Sequence, residues 1–271
     1  MPRTVLVLLL LWPLWPGPAR AQPASDLDAT YAVYAAGFDT ASAQARLALS
    51  PAGYRVQFDF RIIGFFSAFI SGDMNTAVVG TWAGVTAVPR HLEAAGVWRG
   101  DQRHTIIDYQ EGQPLIRTLL PPPERERDLV PAALQRNTID TLSALAAMVR
   151  QVAATDRCDA QGRLFDGRRL MEITVSTGGR EDLPRSDRSP YYGPTLRCDF
   201  SGKLLAGFMH DESIAQQARV RHGSAWFAQV APNVVPIPIR LTFETRWFSP
   251  ATAYLAGFGQ VAPAASSDAA R

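Results

Sequence analysis

The chain has 271 residues but only two cysteines, four histidines and, at Lys203, a single lysine. His91, His104, His210 and His222 stand far apart, without the H-x-x-x-H or C-x-x-C spacing that builds a metal site, so no metal is expected. The G-x-S-x-G elbow, the phosphate-binding glycine loop and the dinucleotide fingerprint are also missing. Their absence removes the common signatures of hydrolases, nucleotide-binding proteins and oxidoreductases, and with them any named cofactor. Carboxylate neighbours such as Asp108 with Glu111, or Asp211 with Glu212, are ordinary surface spacings that do not specify acid–base work. With no catalytic residue in view, the expectation is a protein that is not an enzyme.

Long apolar runs are scarce as well. The one at the start, Val5 to Trp12, follows Arg3 and leads to Ala19-Arg20-Ala21, a small-x-small cleavage pattern. It is shorter than the ~20 residues a bilayer-spanning helix needs. Residues 1–21 are therefore read as a signal peptide cleaved after Ala21, and the expected compartment is the periplasm. No cysteine follows the cleavage site and no later segment resembles a span, so the processed chain is expected to carry neither a lipid anchor nor a transmembrane segment. Losing Arg3 and Arg20 leaves 25 basic against 25 acidic residues. That neutrality removes the electrostatic basis for nucleic-acid binding.

What the chain does have is alternation. Val56, Phe58, Phe60 and Ile62 fall on one face of residues 54–63, with Arg55, Gln57, Asp59 and Arg61 on the other, as in a half-buried strand. Residues 237–247 repeat the pattern through Ile237, Ile239, Leu241, Phe243 and Trp247. Further strands are expected over 31–38, 43–49, 76–82, 92–98, 105–109, 170–175, 204–209 and 225–230. Turn chemistry separates them at Pro51-Ala52-Gly53, Ser71-Gly72-Asp73, Asp166-Gly167 and Ser201-Gly202. The fold class is mainly β: a long antiparallel meander curled into a barrel or half-barrel, forming one domain over 22–259 with a disordered tail at 260–271.

One helix is expected over 137–152, with Leu142, Leu145, Ala146, Val149 and Val152 on a shared face and Asn137 as its cap. Its apolar stripe needs a sheet to cover, so it either closes one mouth of the curved sheet or lies along its concave face. The charged segment before it, 121–128, reads as a solvated connector or a docking site.

Cys158 and Cys198 sit in a shared C-D-x-x-G-[R/K]-L pattern behind the export signal, and are expected to form one disulfide. Each pattern reads as a strand end entering a turn, with Gly162 and Gly202 supplying the permissive backbone and Asp159 and Asp199 bonding turn amides. Closing a loop of about 40 residues stabilises by roughly 4 kcal/mol on the chain-entropy model.

Several of these segments, taken in order, resemble an exported bacterial family of unknown function, numbered 3108. They are Tyr31-Ala-Val-Tyr34, Asn137-Thr-Ile-Asp-Thr-Leu-Ser143, Cys158-Asp159 leading to Phe165-Asp166-Gly167-Arg168-Arg169, Cys198, and Val235-Pro-Ile-Pro-Ile-Arg240. The resemblance spans about residues 27–258 and implies a periplasmic protein of a Gram-negative bacterium, with no established activity and no accepted catalytic residues. In architecture alone the chain is similar to curved-sheet envelope proteins such as lipoprotein carriers and spiral β-barrel envelope-integrity proteins.

The segment Ile62-Ile63-Gly64-Phe65-Phe66-Ser67-Ala68-Phe69-Ile70 is either a doubly buried strand, bent at its glycine, or part of an apolar cavity wall. Trp226, Trp247 and Phe248 are candidates for the same wall. On the cavity reading, Phe58, Phe60, Phe65, Phe69, Leu241 and Phe243 face Leu142, Leu145 and Val149 and contact a lipid or acyl ligand. The expected function is envelope maintenance through a hydrophobic ligand or an envelope protein partner. An envelope glycan or peptide hydrolase and a sheet-edge scaffold are the competing readings.

Overall fold

The computed structural model describes residues 25–245 and 250–260. The leader, Trp247 and Phe248 lie outside the described residues, as does the expected tail apart from Gln260. The first run of strands is β1 (Ser25–Ala35), β2 (Phe38–Leu49), β3 (Tyr54–Ile62), β4 (Gly72–Ala83), β5 (Thr86–Trp98), β6 (Asp101–Gln110) and β7 (Gln113–Leu120). The short helix α1 (Ala132–Gln135) and the long helix α2 (Thr141–Thr155) follow. The second run is β8 (Ala160–Phe165), β9 (Leu170–Leu183), β10 (Gly193–Ala206), β11 (Arg221–Ala228), β12 (Ile237–Phe243) and β13 (Ala251–Gln260), with the short α3 (Ile214–Gln217) before β11.

Among the described residues these make one 13-stranded antiparallel sheet, ordered β7-β6-β5-β4-β3-β2-β1-β13-β12-β11-β10-β9-β8. The fold is mainly β, as expected, and the sheet is not closed by hydrogen bonding between its two edges. The connector between β7 and β8 spans that gap instead. Asn137 donates its N–H to Gly112 O, in the β6–β7 turn, at 2.8 Å, and Ile139 exchanges backbone bonds with Arg163 and Phe165 of β8. The β8 edge is thus partly occupied by the chain's own backbone.

The strand registers sort the turns to two ends. Turns 36–37, 99–100 and 166–169 and segments 63–71 and 207–220 share one end; turns 50–53, 84–85 and 111–112 and loops 184–192 and 229–236 share the other. At the first end the 121–128 segment, expected to be solvated, is a charged clasp. Arg103 donates two hydrogen bonds to Glu126, both 2.8 Å, while Arg127 and Arg168 flank the same carboxylate at 3.5 and 3.7 Å. Arg168 donates to Pro121 O, Arg127 to Gly207 O, and His210 N–H to Glu126 O. The Arg103 bonds, with the charges of the three arginines, outweigh the cost of burial and hold the Glu126 carboxyl down at about 2.

The main core lies between α2 and the concave face. Leu142, Ala146, Val149 and Val152 pack with Tyr54, Val56, Val78, Leu92 and Ile107 from the first run and Phe165, Leu170, Leu196 and Phe227 from the second. Each buried Val, Leu, Ile or Phe side chain among them contributes about 1.5–3 kcal/mol by leaving water. The helix begins at Thr141, not 137. Its cap is Asp140, whose carboxylate accepts from Ser143 N–H at 2.8 Å, while Asn137 sits in a left-handed conformation in the connector. A second cluster, near the other end, joins Leu27, Ala29, Ile237, Ile239 and Leu255 with Trp226, Ala228 and Val234.

Three strands, β7, β8 and β13, were not expected, and the strand expected over 237–247 ends at Phe243. Ser201-Gly202 is not a turn: β10 runs straight through it, and Gly162 likewise lies inside β8. Strand glycines here seat aromatic rings of the neighbouring strand. A Cβ on Gly80 would meet the ring and hydroxyl of its partner Tyr54 at 2.3–2.6 Å, and one on Gly223 the ring of Phe200 at 2.2 Å.

Candidate functional site

At the end opposite the clasp, the C-terminus of α2 and the 229–236 loop leave a mouth of about 820 Å³ between them. Its walls include Val152 from α2, Leu196 from β10, Phe227 and Ala228 from β11, and Val234 and Val235 from the loop, all buried. Its rim is polar: Thr155, Asp156, Arg180, Tyr191, Gln229 and Asn233. Apolar walls under a polar rim suit a molecule with a greasy body and a hydrated end.

Local sequence explains this arrangement. The helix stops because Asp156 adopts the left-handed conformation and returns its N–H to Val152 O, so the last apolar residue of the stripe ends up on the mouth wall. Arg180, from β9, forms an ion pair with Asp156. The Tyr191 hydroxyl donates to Pro194 O at 2.7 Å; burial and the nearby Asp182 charge push its pKa up, so it remains a neutral hydrogen-bonding group. Directly after the helix, Cys158 is bonded to Cys198 of β10, with Cα atoms 6.0 Å apart, so the disulfide ties the α2–β8 junction to the middle of the second run. Asp159 accepts from Thr177 N–H and Oγ1 in β9 and from Arg157, and Asp199 from Ser224 and Arg197; neither serves a turn.

None of the nine residues expected to bind a ligand lines this mouth. Leu142 and Val149 are buried in the main core, and Leu145, Phe58 and Leu241 pack against it, so the helix stripe is covered instead of facing a vacant wall. Phe60 rests beside Trp98, ring centroids 6.3 Å apart. Phe243 borders a separate groove of about 430 Å³ with Phe200, Asp199, His222 and Glu244. Phe65 and Phe69 are 72 % and 71 % exposed, on a 3₁₀ turn at Gly64–Ala68. Neither a strand nor a cavity wall forms there, because Gly64 turns the chain at φ +65° against Asp39 O.

Among the described residues, two other polar constellations place a serine beside a carboxylate. In the 430 Å³ groove Ser224 Oγ gives its proton to Asp199 at 2.5 Å, not to an imidazole, and His222 meets Glu244 through its backbone N–H. Burial raises the Asp199 pKa, yet the bonds from Ser224 and Arg197 more than offset it and leave the carboxyl below its ordinary range. Asp140 is the opposite case. Burial dominates and raises its pKa despite the bonds from Ser143, in a sealed relay in which Tyr54 donates to Ser143 Oγ at 2.7 Å and Ser143 Oγ to Asp140 at 2.5 Å. Among the described residues no group of three or more His, Cys, Asp or Glu is placed to hold a metal ion. No helix there is long and apolar enough to cross a membrane.

The family model described as protein of unknown function (DUF3108) matches residues 30–255. The chain belongs to that family. The β-barrel-like protein of the DUF1849 family from Brucella abortus has a similar fold, with TM-score 0.53 and 11 % identity over 88 % of this chain and 98 % of that one. A structure described as a candidate lipoprotein from Parabacteroides distasonis aligns at TM-score 0.37 and 9 % identity, over 88 % and 97 % of the two chains. No curated protein matches the sequence. For this DUF3108 protein the Brucella likeness speaks to the barrel-like fold alone.

Proposed function

We propose that this DUF3108 protein is a non-catalytic periplasmic binding protein of the cell envelope, which holds an amphipathic molecule in the mouth beside the end of α2. The observation that carries the reading is the 820 Å³ opening itself, apolar below and polar at its rim, within the ~300–1,000 Å³ range of small-molecule sites. An acyl chain would lie against Val152, Leu196 and Phe227, with its hydrated end at Arg180, Asp156 and Tyr191. The disulfide supports an oxidising compartment.

The test is a titration with the fluorescent apolar probe N-phenyl-1-naphthylamine, beside organic extraction and mass spectrometry of the purified protein. Ala154 is exposed on the mouth wall, so Ala154→Trp narrows the opening without touching the core. Saturable wild-type binding that drops at least about tenfold in this variant, at an unchanged thermal midpoint, is the expected result. Absence of wild-type binding, or equal binding by both proteins, overturns the reading.

A further inference from the structure

The clasp end carries a feature the mouth does not explain. From the last residue of β3 the nine residues Ile62 to Ile70 contain no charge, and their 3₁₀ turn raises Phe65 and Phe69 out of the fold. The rings support each other, 5.0 Å apart, and Phe66 stands edge-on to Phe65 at 6.1 Å. Ile63 N–H bonds Thr40 O, and Gly64 lies so close to Asp39 O that a Cβ there would meet it at 2.8 Å, which sets the turn at the start of β2, where Phe38 is 63 % exposed.

We propose that this spur of Phe38, Phe65 and Phe69 is a membrane-surface anchor that inserts into the interfacial layer of an uncharged lipid bilayer. The proposal stands apart from ligand binding in the mouth. Three features favour lipid as the occupant. First, area: three aromatic side chains of about 150–250 Å² each, exposed to this extent, offer roughly 300–500 Å², which falls short of the ~800 Å² per partner of a stable protein pair. Second, shape and polarity: the spur is a projection, and its backbone bonds are made internally. Ser67 Oγ donates to Gly64 O at 2.7 Å, and Phe69 and Ile70 N–H both donate to Phe66 O, so immersion strands few polar groups. Third, charge: at its base Arg61 pairs with Asp73 at 2.9 Å, and Asp39 and Arg99 add one charge of each sign, so the residues flanking the spur carry no net charge to select an anionic surface.

The experiment is co-sedimentation of the full chain, as the expressing cell processes it, with phosphatidylcholine vesicles and with vesicles that also contain phosphatidylglycerol, at low and high salt. Wild-type protein is expected to bind both kinds alike, independent of salt. Phe65→Ser with Phe69→Ser is expected to weaken binding about a hundredfold, about tenfold per ring, at an unchanged thermal midpoint. A single Phe65→Trp variant gives a second readout: its indole emission should shift to the blue when phosphatidylcholine vesicles are added. No wild-type binding, undiminished binding by the double variant, an unshifted emission from the Phe65→Trp variant, or binding confined to the anionic vesicles and released by salt each overturns the proposal. So does a wild-type self-association that the double variant abolishes, which would make a second copy the occupant.

Discussion

At the clasp end Glu126 draws Arg103, Arg127 and Arg168 together and fastens the connector to β6, to the β8–β9 turn and to the segment after β10. Among the described residues the mouth end has no such knot: α2 stops at Asp156, the 229–236 loop folds in beside it, and the ion pair of Asp156 with Arg180 sits on the rim. Both ends belong to the same unclosed sheet. At one end the connector is bound by largely buried charge; at the other Asn137 bonds Gly112, the disulfide holds the α2–β8 junction, and the mouth lies over Val152, Leu196 and Phe227. The two ends of the unclosed sheet are thus held differently, one by a charge cluster and the other by a backbone bond and a disulfide, and the mouth lies at the second.

Removing the covalent tie near the mouth should have the largest effect. Cys158→Ser with Cys198→Ser releases a 40-residue loop and is expected to lower the unfolding free energy by about 4 kcal/mol in a non-reducing denaturant titration. Probe binding in the mouth should weaken in conditions where the variant is still folded. If affinity is unchanged while stability falls, the mouth does not depend on the junction that the disulfide holds.

The clasp comes next. Glu126→Gln leaves three arginines around a neutral amide, and is expected to cost about 3 kcal/mol at neutral pH while leaving probe affinity as it was. The pH dependence follows from the sign of the shift. The folded carboxyl sits at about 2, below its ordinary 4.5, so its contribution is present above the higher value and is lost as pH falls through the lower one. The gap between wild type and variant should therefore close between those values. A gap that persists in strong acid would mean that the clasp acts through shape and not charge.

The smallest effect on stability is expected on the rim. Arg180 and Asp156 are both well exposed, so Arg180→Ala should change stability by less than about 1 kcal/mol. It should nevertheless weaken an anionic amphiphile more than the neutral probe. Equal effects on both would take Arg180 out of head-group recognition.

Sequence pattern reported the half-buried strands well. β3 alternates because Val56 and Tyr54 meet α2 while Arg55 meets water, and this contrast is written in residue type. It failed where glycine changed its meaning: Gly202 looks like a turn residue but lies inside β10, and Gly80 and Gly223 are flat seats for Tyr54 and Phe200 on the adjoining strand. Such a seat depends on a partner elsewhere in the chain, so no local window reveals it. β13 escaped notice for a related reason, since its inward residues Ala251, Ala253 and Leu255 include two alanines that carry little hydrophobic contrast. The mouth was the least legible of all. Val152, Leu196, Phe227 and Val234 are separated by up to 82 positions and share a wall only because the end of α2 meets β10, β11 and the 229–236 loop of the second run there. The phenylalanine-rich segment drew attention by composition, and composition does not distinguish a core from a projection.

The pairing of β1 with β13 gives the molecule a history as well as a shape. The first strand of the sheet waits for the last, since Leu27 lies opposite Gln260. During folding β1 through β7 can assemble from neighbour to neighbour, but one row of β1 backbone groups stays bare until β13 has joined. A contact that spans almost the whole chain closes slowly. Until that pairing forms, the bare edge of β1 is where a partly folded chain is most prone to pair with another strand.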